Sequence, residues 1–184
     1  MSHIVIKENK IELIFNQLQQ ELGGVLNIFN KEYTLEINNN TLRGEITGSS
    51  INKNISFIDF NIQFSEDSVL VHDANVLNPI YFIYVAEGQL SHSFENEKEN
   101  YGLEQFQTGI FSSEHAQNAK LFFKKNNRVC ASMITVNTES AGKEKAPDII
   151  LKNQLLNTFV QKDDSTTFSY IGSYNLKIAE QIKQ

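Results

Sequence analysis

From Val25 to Val136 the chain breaks into roughly ten short apolar runs at the ~8–12-residue spacing of a sandwich or barrel. The runs are Val25–Phe29, Tyr33–Ile37, Leu42–Thr47, Ile55–Phe64, Ser68–His72, Ile80–Ala86, Leu90–Phe94, Gly109–Ser112, Ala119–Phe123 and Val129–Val136. Polar turns such as Asn38-Asn39-Asn40 and Gly48-Ser49-Ser50 divide them. Alternation is cleanest at Ile58, Phe60, Ile62 and Phe64, a face that should be buried. Pro79 stands at a strand start, where its missing N–H is tolerated. In Ile80–Ala86, Phe82 and Tyr84 share one face while Tyr81 and Ile83 share the other. Both faces are apolar, so parity leaves open which one points inward.

Helical patterns frame the strands. Ile11, Ile14, Phe15, Leu18 and Leu22 form an amphipathic stripe within 9–22. Asn9 is expected to cap it, with Glu12 completing a capping box, and Gly23-Gly24 to stop it. Beyond the linker-like stretch 137–146, Pro147 suits a first helical position. Ile149, Leu151, Leu155, Leu156, Phe159 and Val160 then make an apolar face about half the helix circumference wide. A last helix is expected from about Ser173, carrying Tyr174, Ile178 and Ile182. The division is therefore a barrel with its N-terminal helix over 1–136 and a linker with helical segments over 137–184.

Charge and motifs narrow the function. A net charge of −6 is poorly suited to holding nucleic-acid phosphates. No run of ~18 apolar residues predicts a membrane span, and the opening residues lack the pattern of a signal peptide. Cys130 is the sole cysteine, which excludes an internal disulfide and suggests the cytoplasm. It sits in a buried-looking strand and is expected to behave as a small core hydrophobe. His3, His72, His92 and His115 include no His-x-His pair, so no metal, catalytic residue or cofactor is assigned. No nucleophile elbow, phosphate loop or dinucleotide fingerprint appears.

Two stretches, Tyr81-Phe82-Ile83-Tyr84-Val85-Ala86-Glu87-Gly88-Gln89-Leu90-Ser91-His92-Ser93-Phe94 and Leu103-Glu104-Gln105-Phe106-Gln107-Thr108-Gly109, resemble barrel strands of the N-terminal regulatory domain of AraC-type bacterial transcription regulators. The tail from Phe168 to Lys183 resembles the approach to that family's DNA-binding region. The resemblance implies a mainly β, cupin-like barrel or jelly roll with an N-terminal helix and two C-terminal helices. It also implies a small-molecule effector, a homodimer, and contact with DNA only through helix-turn-helix motifs expected beyond residue 184. Phe82, Tyr84, His92 and Phe94 are the candidate effector contacts, the competing reading being that these rings simply fill the barrel. Leu151, Leu155 and Phe159 form an i, i+4, i+8 ridge suited to a dimer interface. The alternative function is a small cupin-type enzyme, an isomerase or metal-dependent oxygenase; a stand-alone binding or scaffold protein is a third.

Overall fold

The computed structural model describes residues 1–73, 79–113, 117–138 and 167–175, with positions 154, 158 and 177. The strands are β1 (Ser2–Ile6), β2 (Val25–Phe29), β3 (Glu32–Asn38), β4 (Leu42–Asn52), β5 (Ile55–Phe64), β6 (Ser68–His72), β7 (Ile80–Glu87), β8 (Gln89–Phe94), β9 (Tyr101–Glu104), β10 (Thr108–Ser113), β11 (Ala119–Phe123), β12 (Arg128–Val136) and β13 (Thr167–Ile171). Helix α1 spans Ile11–Leu22.

The chain is mainly β and its strands form two sheets. One has eight strands in the order β13-β10-β7-β12-β5-β4-β3-β2, the other five in the order β1-β6-β11-β8-β9. From β5 to β12 the antiparallel pairs are nested: β8 with β9, β7 with β10, β6 with β11, β5 with β12. Successive pairs fall in alternate sheets. A long hairpin ribbon wrapped in this way is a jelly roll. The switch from β7 to β8 turns on Gly88, at φ 79°. A Cβ there would lie 2.0 Å from the Arg128 carbonyl oxygen, so only glycine fits the turn.

Alternation then decides the core. Ile58, Phe60, Ile62 and Phe64 of β5 are all buried, as their spacing predicts. So are Tyr81, Ile83 and Val85 of β7, which join one apolar core with Leu90, Phe94 and Leu121 of the opposite sheet. Rings stitch the sheets together: Phe123 lies 5.4 Å from Phe64 and 6.0 Å from Phe60. Helix α1 covers the extension made by β2, β3 and β4, and also touches β1. It buries Ile11, Ile14, Phe15, Leu18 and Leu22, each contributing on the order of 1.5–3 kcal/mol.

Several expectations change. The N-cap of α1 is Lys10, with no side-chain cap, so Asn9 does not serve as one. Cys130 is half-buried on the outward face of β12, because Val129, Ala131 and Met133 take the inward one. Its sulfhydryl faces the Asn61 and Glu87 side chains, and burial and the Glu87 carboxylate raise its pKa. Strands β1, β9 and β13 add to the ten expected runs. Strand β13 pairs with β10, so the barrel's own sheet draws on residues beyond 136. The helix expected after Pro147, with Leu151, Leu155 and Phe159, lies outside the described residues. Ser173 to Asn175 are irregular, and most of the chain after them is also outside.

Candidate functional site

Two histidines cross between the sheets, and their surroundings differ. His92 projects inward from β8 and is fully buried. Its ring stacks on Phe111 of β10 at 4.0 Å and 17°, and meets Phe94 edge-on at 4.8 Å. Among the described residues, neither ring nitrogen has a hydrogen-bond partner. Burial lowers its pKa to about 3, so the imidazole is neutral. This end of the sandwich is packed with rings.

His72, at the end of β6, is wired instead. Its Nδ1 shares a hydrogen bond with the Tyr81 hydroxyl at 2.7 Å, and its Nε2 lies 3.3 Å from the Glu8 carbonyl. Burial lowers the His72 pKa too, and it raises that of the Tyr81 phenol. Both groups are neutral and polar, linking the segment between β1 and α1 to β6 and β7 at one end of the core.

Beside His72 lies a seam between α1 and the two sheets. Its walls are apolar: Ile6, Ile14, Leu18, Ile58, Phe60, Leu70 and Met133. At its edge stand Asn9, Ser56, Thr135 and Asn137. The side-chain oxygens of Asn9 and Asn137 are buried and have no partner among the described residues. No lysine or arginine lines it among the described residues. The free volume is about 30 Å³, room for about two water molecules. A larger groove of about 680 Å³ runs past Gln89, Ser91, Gly102, Glu104, Lys124 and Tyr174. It is open to solvent, and none of the buried unpaired polar atoms borders it. The groove has the volume of a small-molecule site, whereas the seam, far smaller, combines apolar walls with buried acceptors that lack partners among the described residues.

The four ring-bearing candidates are split by strand parity. His92 and Phe94 sit together in the core with Phe111. Phe82 and Tyr84 occupy the other face of β7, outside the sandwich, where the Tyr84 hydroxyl donates to the Asn175 carbonyl oxygen at 3.2 Å. The four therefore do not line one cavity. Among the described residues, no three His, Cys, Asp or Glu side chains converge as metal ligands. His3 is on the exposed start of β1, and His115 lies outside the described residues. The polar edge of the seam, Asn9, Asn137 and Thr135, escapes sequence reading. Asn9 looks like a helix cap, and Asn137 looks like the first residue of a linker.

No family model matches the chain, and no curated protein matches it. Solved structures with some likeness include apo ToxT from Vibrio cholerae strain SCE256, at 8% identity and a TM-score of 0.45 over 73% of this chain and 47% of that one. ToxT from Vibrio cholerae O395 bound to (E)-4-(8-methylnaphthalen-1-yl)but-3-enoic acid has 12% identity and a TM-score of 0.45 over 71% and 46%. Bacillus subtilis oxalate decarboxylase has 8% identity and a TM-score of 0.41 over 82% and 45%. The chain thus spans about half the length of each. Among the described residues, no helix is long and apolar enough to cross a membrane.

Proposed function

We propose that this chain is the small-molecule-sensing module of an AraC-type transcription regulator, with the α1 seam as its effector site. One observation carries the reading: two side chains lining a mainly apolar seam, Asn9 and Asn137, hold buried amide oxygens with no donor among the described residues. Each such acceptor costs about 1–3 kcal/mol while unpaired. A ligand that supplied donors would recover that energy and would have to part α1 from the sandwich to enter. The entering molecule would thus bind one arrangement of α1 better than the other, which is how an effector shifts a population. A 100-fold change in output needs a differential affinity of about 2.7 kcal/mol.

The regulatory context rests on the sequence resemblance. It expects a homodimer through Leu151, Leu155 and Phe159, DNA binding by helix-turn-helix motifs beyond residue 184, a cytoplasmic location and no catalysis. Leu151→Glu with Leu155→Glu should then halve the mass seen by light scattering, and an unchanged mass removes that interface. The site itself is tested by thermal shift against a panel of small apolar molecules, using the wild type and Met133→Phe, which fills the seam. Hits that stabilise the wild type and fail with Met133→Phe support the reading. Hits indifferent to the substitution place the site elsewhere.

A further inference from the structure

Resting on that reading of the seam, we propose that its ligand is uncharged, with an apolar body and a head that donates O–H or N–H bonds, such as an alcohol or a primary amide. The Ser56 and Thr135 hydroxyls can donate or accept, while the buried atoms of seam residues that have no partner among the described residues are acceptors, Oδ1 of Asn9 and Oδ1 of Asn137. A carboxylate head would set its own oxygens against them, and no lysine or arginine lines the seam to neutralise it. Burying an unpaired ion is far more costly than burying a hydrogen-bonded neutral group. His72 supplies no cation either, since burial keeps it neutral and its two nitrogens already face the Tyr81 hydroxyl and the Glu8 carbonyl. An ammonium head would have donors but no carboxylate among the seam residues. The walls, from Ile14 and Leu18 of α1 to Phe60 and Met133 of the eight-stranded sheet, would meet an apolar body once α1 parts from the sandwich.

Geometry also shows how the head would be read. The backbone N–H groups of Lys7 and Glu8 both donate to Gln17 Oε1 of α1, at 2.8 and 3.2 Å. That clasp ties α1 to the segment that carries Asn9 and, through the Glu8 carbonyl, to His72. At its other end α1 is held by Asn39, whose amide donates to the Leu22 carbonyl at 2.8 Å. A head group bonded to Asn9 and Asn137 would therefore bridge the N-terminal end of α1 to the end of β12.

The test uses four eight-carbon probes at pH 7.5, measured by calorimetry on the whole chain: octan-1-ol, octanamide, octanoate and octylamine. Octanol and octanamide should bind at least ten-fold more tightly than octanoate and octylammonium. Asn9→Leu should weaken octanamide by about 5- to 10-fold and leave octanoate unchanged. Asn137→Asp should reverse the order, making octylammonium the preferred probe; Asn9→Asp serves in its place if the first variant does not fold. Octanoate binding as tightly as octanamide, with both lost in Met133→Phe, would overturn the uncharged class and leave the seam standing. If no probe binds the wild type, the seam holds water only and both readings fall.

Discussion

Two histidines in one core have opposite roles. His92 is a ring among rings, stacked on Phe111 and without a hydrogen bond among the described residues. His72 is a junction, joined to Tyr81 and Glu8 and bordering the seam. Both reach across from the five-stranded sheet to the eight-stranded one. The difference teaches where this sandwich is finished and where it is not. Around His92 the space is filled with rings, and among the described residues the imidazole nitrogens and the Oγ of Ser169, the register partner of Phe111, are unsatisfied. Around His72 the polar groups of the histidine are satisfied, and the unpaired atoms belong to Asn9 and Asn137 at the mouth.

The contrast can be broken most severely at Phe111. Phe111→Ala removes the fully buried ring on which His92 stacks, and should cost about 3–5 kcal/mol in urea denaturation. A loss below about 1 kcal/mol would mean that this end of the core is loosely packed.

Acid gives the next largest effect. The folded protein keeps His92 neutral down to about pH 3, while the unfolded chain takes up the proton near pH 6.5. Between those values the unfolded state binds more protons, so stability falls as pH drops through 6.5 and stops falling from this source near 3. From His92 alone the loss at pH 5 is about 2 kcal/mol. His72 acts in the same direction, and Asp59, raised by burial, acts in the opposite one at lower pH. His92→Leu should flatten this slope. An acid limb identical in wild type and His92→Leu would contradict the buried neutral imidazole.

Substituting each histidine by leucine sharpens the comparison. His92→Leu relieves two unpaired nitrogens and should stabilise the protein by about 1–2 kcal/mol at pH 7.5. His72→Leu leaves the Tyr81 hydroxyl and the Glu8 carbonyl without a partner and should destabilise it by about 1–3 kcal/mol. Shifts of the same sign would erase the distinction. The smallest expected effect is that of Tyr81→Phe, about 1 kcal/mol, from loss of the hydrogen bond to His72.

The strands were legible because alternation is a local signal. Ile58 to Phe64 alternates one face in and one out, and the structure buries the predicted face. Strand β7 shows the limit: with both faces apolar, only the partner sheet settles that Tyr81 and Ile83 point in and Phe82 and Tyr84 point out. Strand β1 was hidden because its parallel pairing with β6 joins Ser2 to Ser68, a contact without a turn to announce it. Strand β13 was hidden because it is short, half-exposed, follows a polar gap and pairs with β10, distant in the sequence. The seam was invisible for a different reason. Asn9 satisfies the sequence rule for a helix cap, and only the observed start of α1 at Ile11, with Lys10 in the N-cap position, leaves its side chain for the seam.

Methyl-resolved NMR of the isoleucine, leucine and methionine side chains during an octan-1-ol titration tests the central claim most directly. Saturable shifts centred on Ile14, Leu18, Ile58 and Met133 are the predicted result. Shifts centred instead on Leu103 and Leu121, in the sheet that carries His92, would move the sensing site to the packed end and contradict the account.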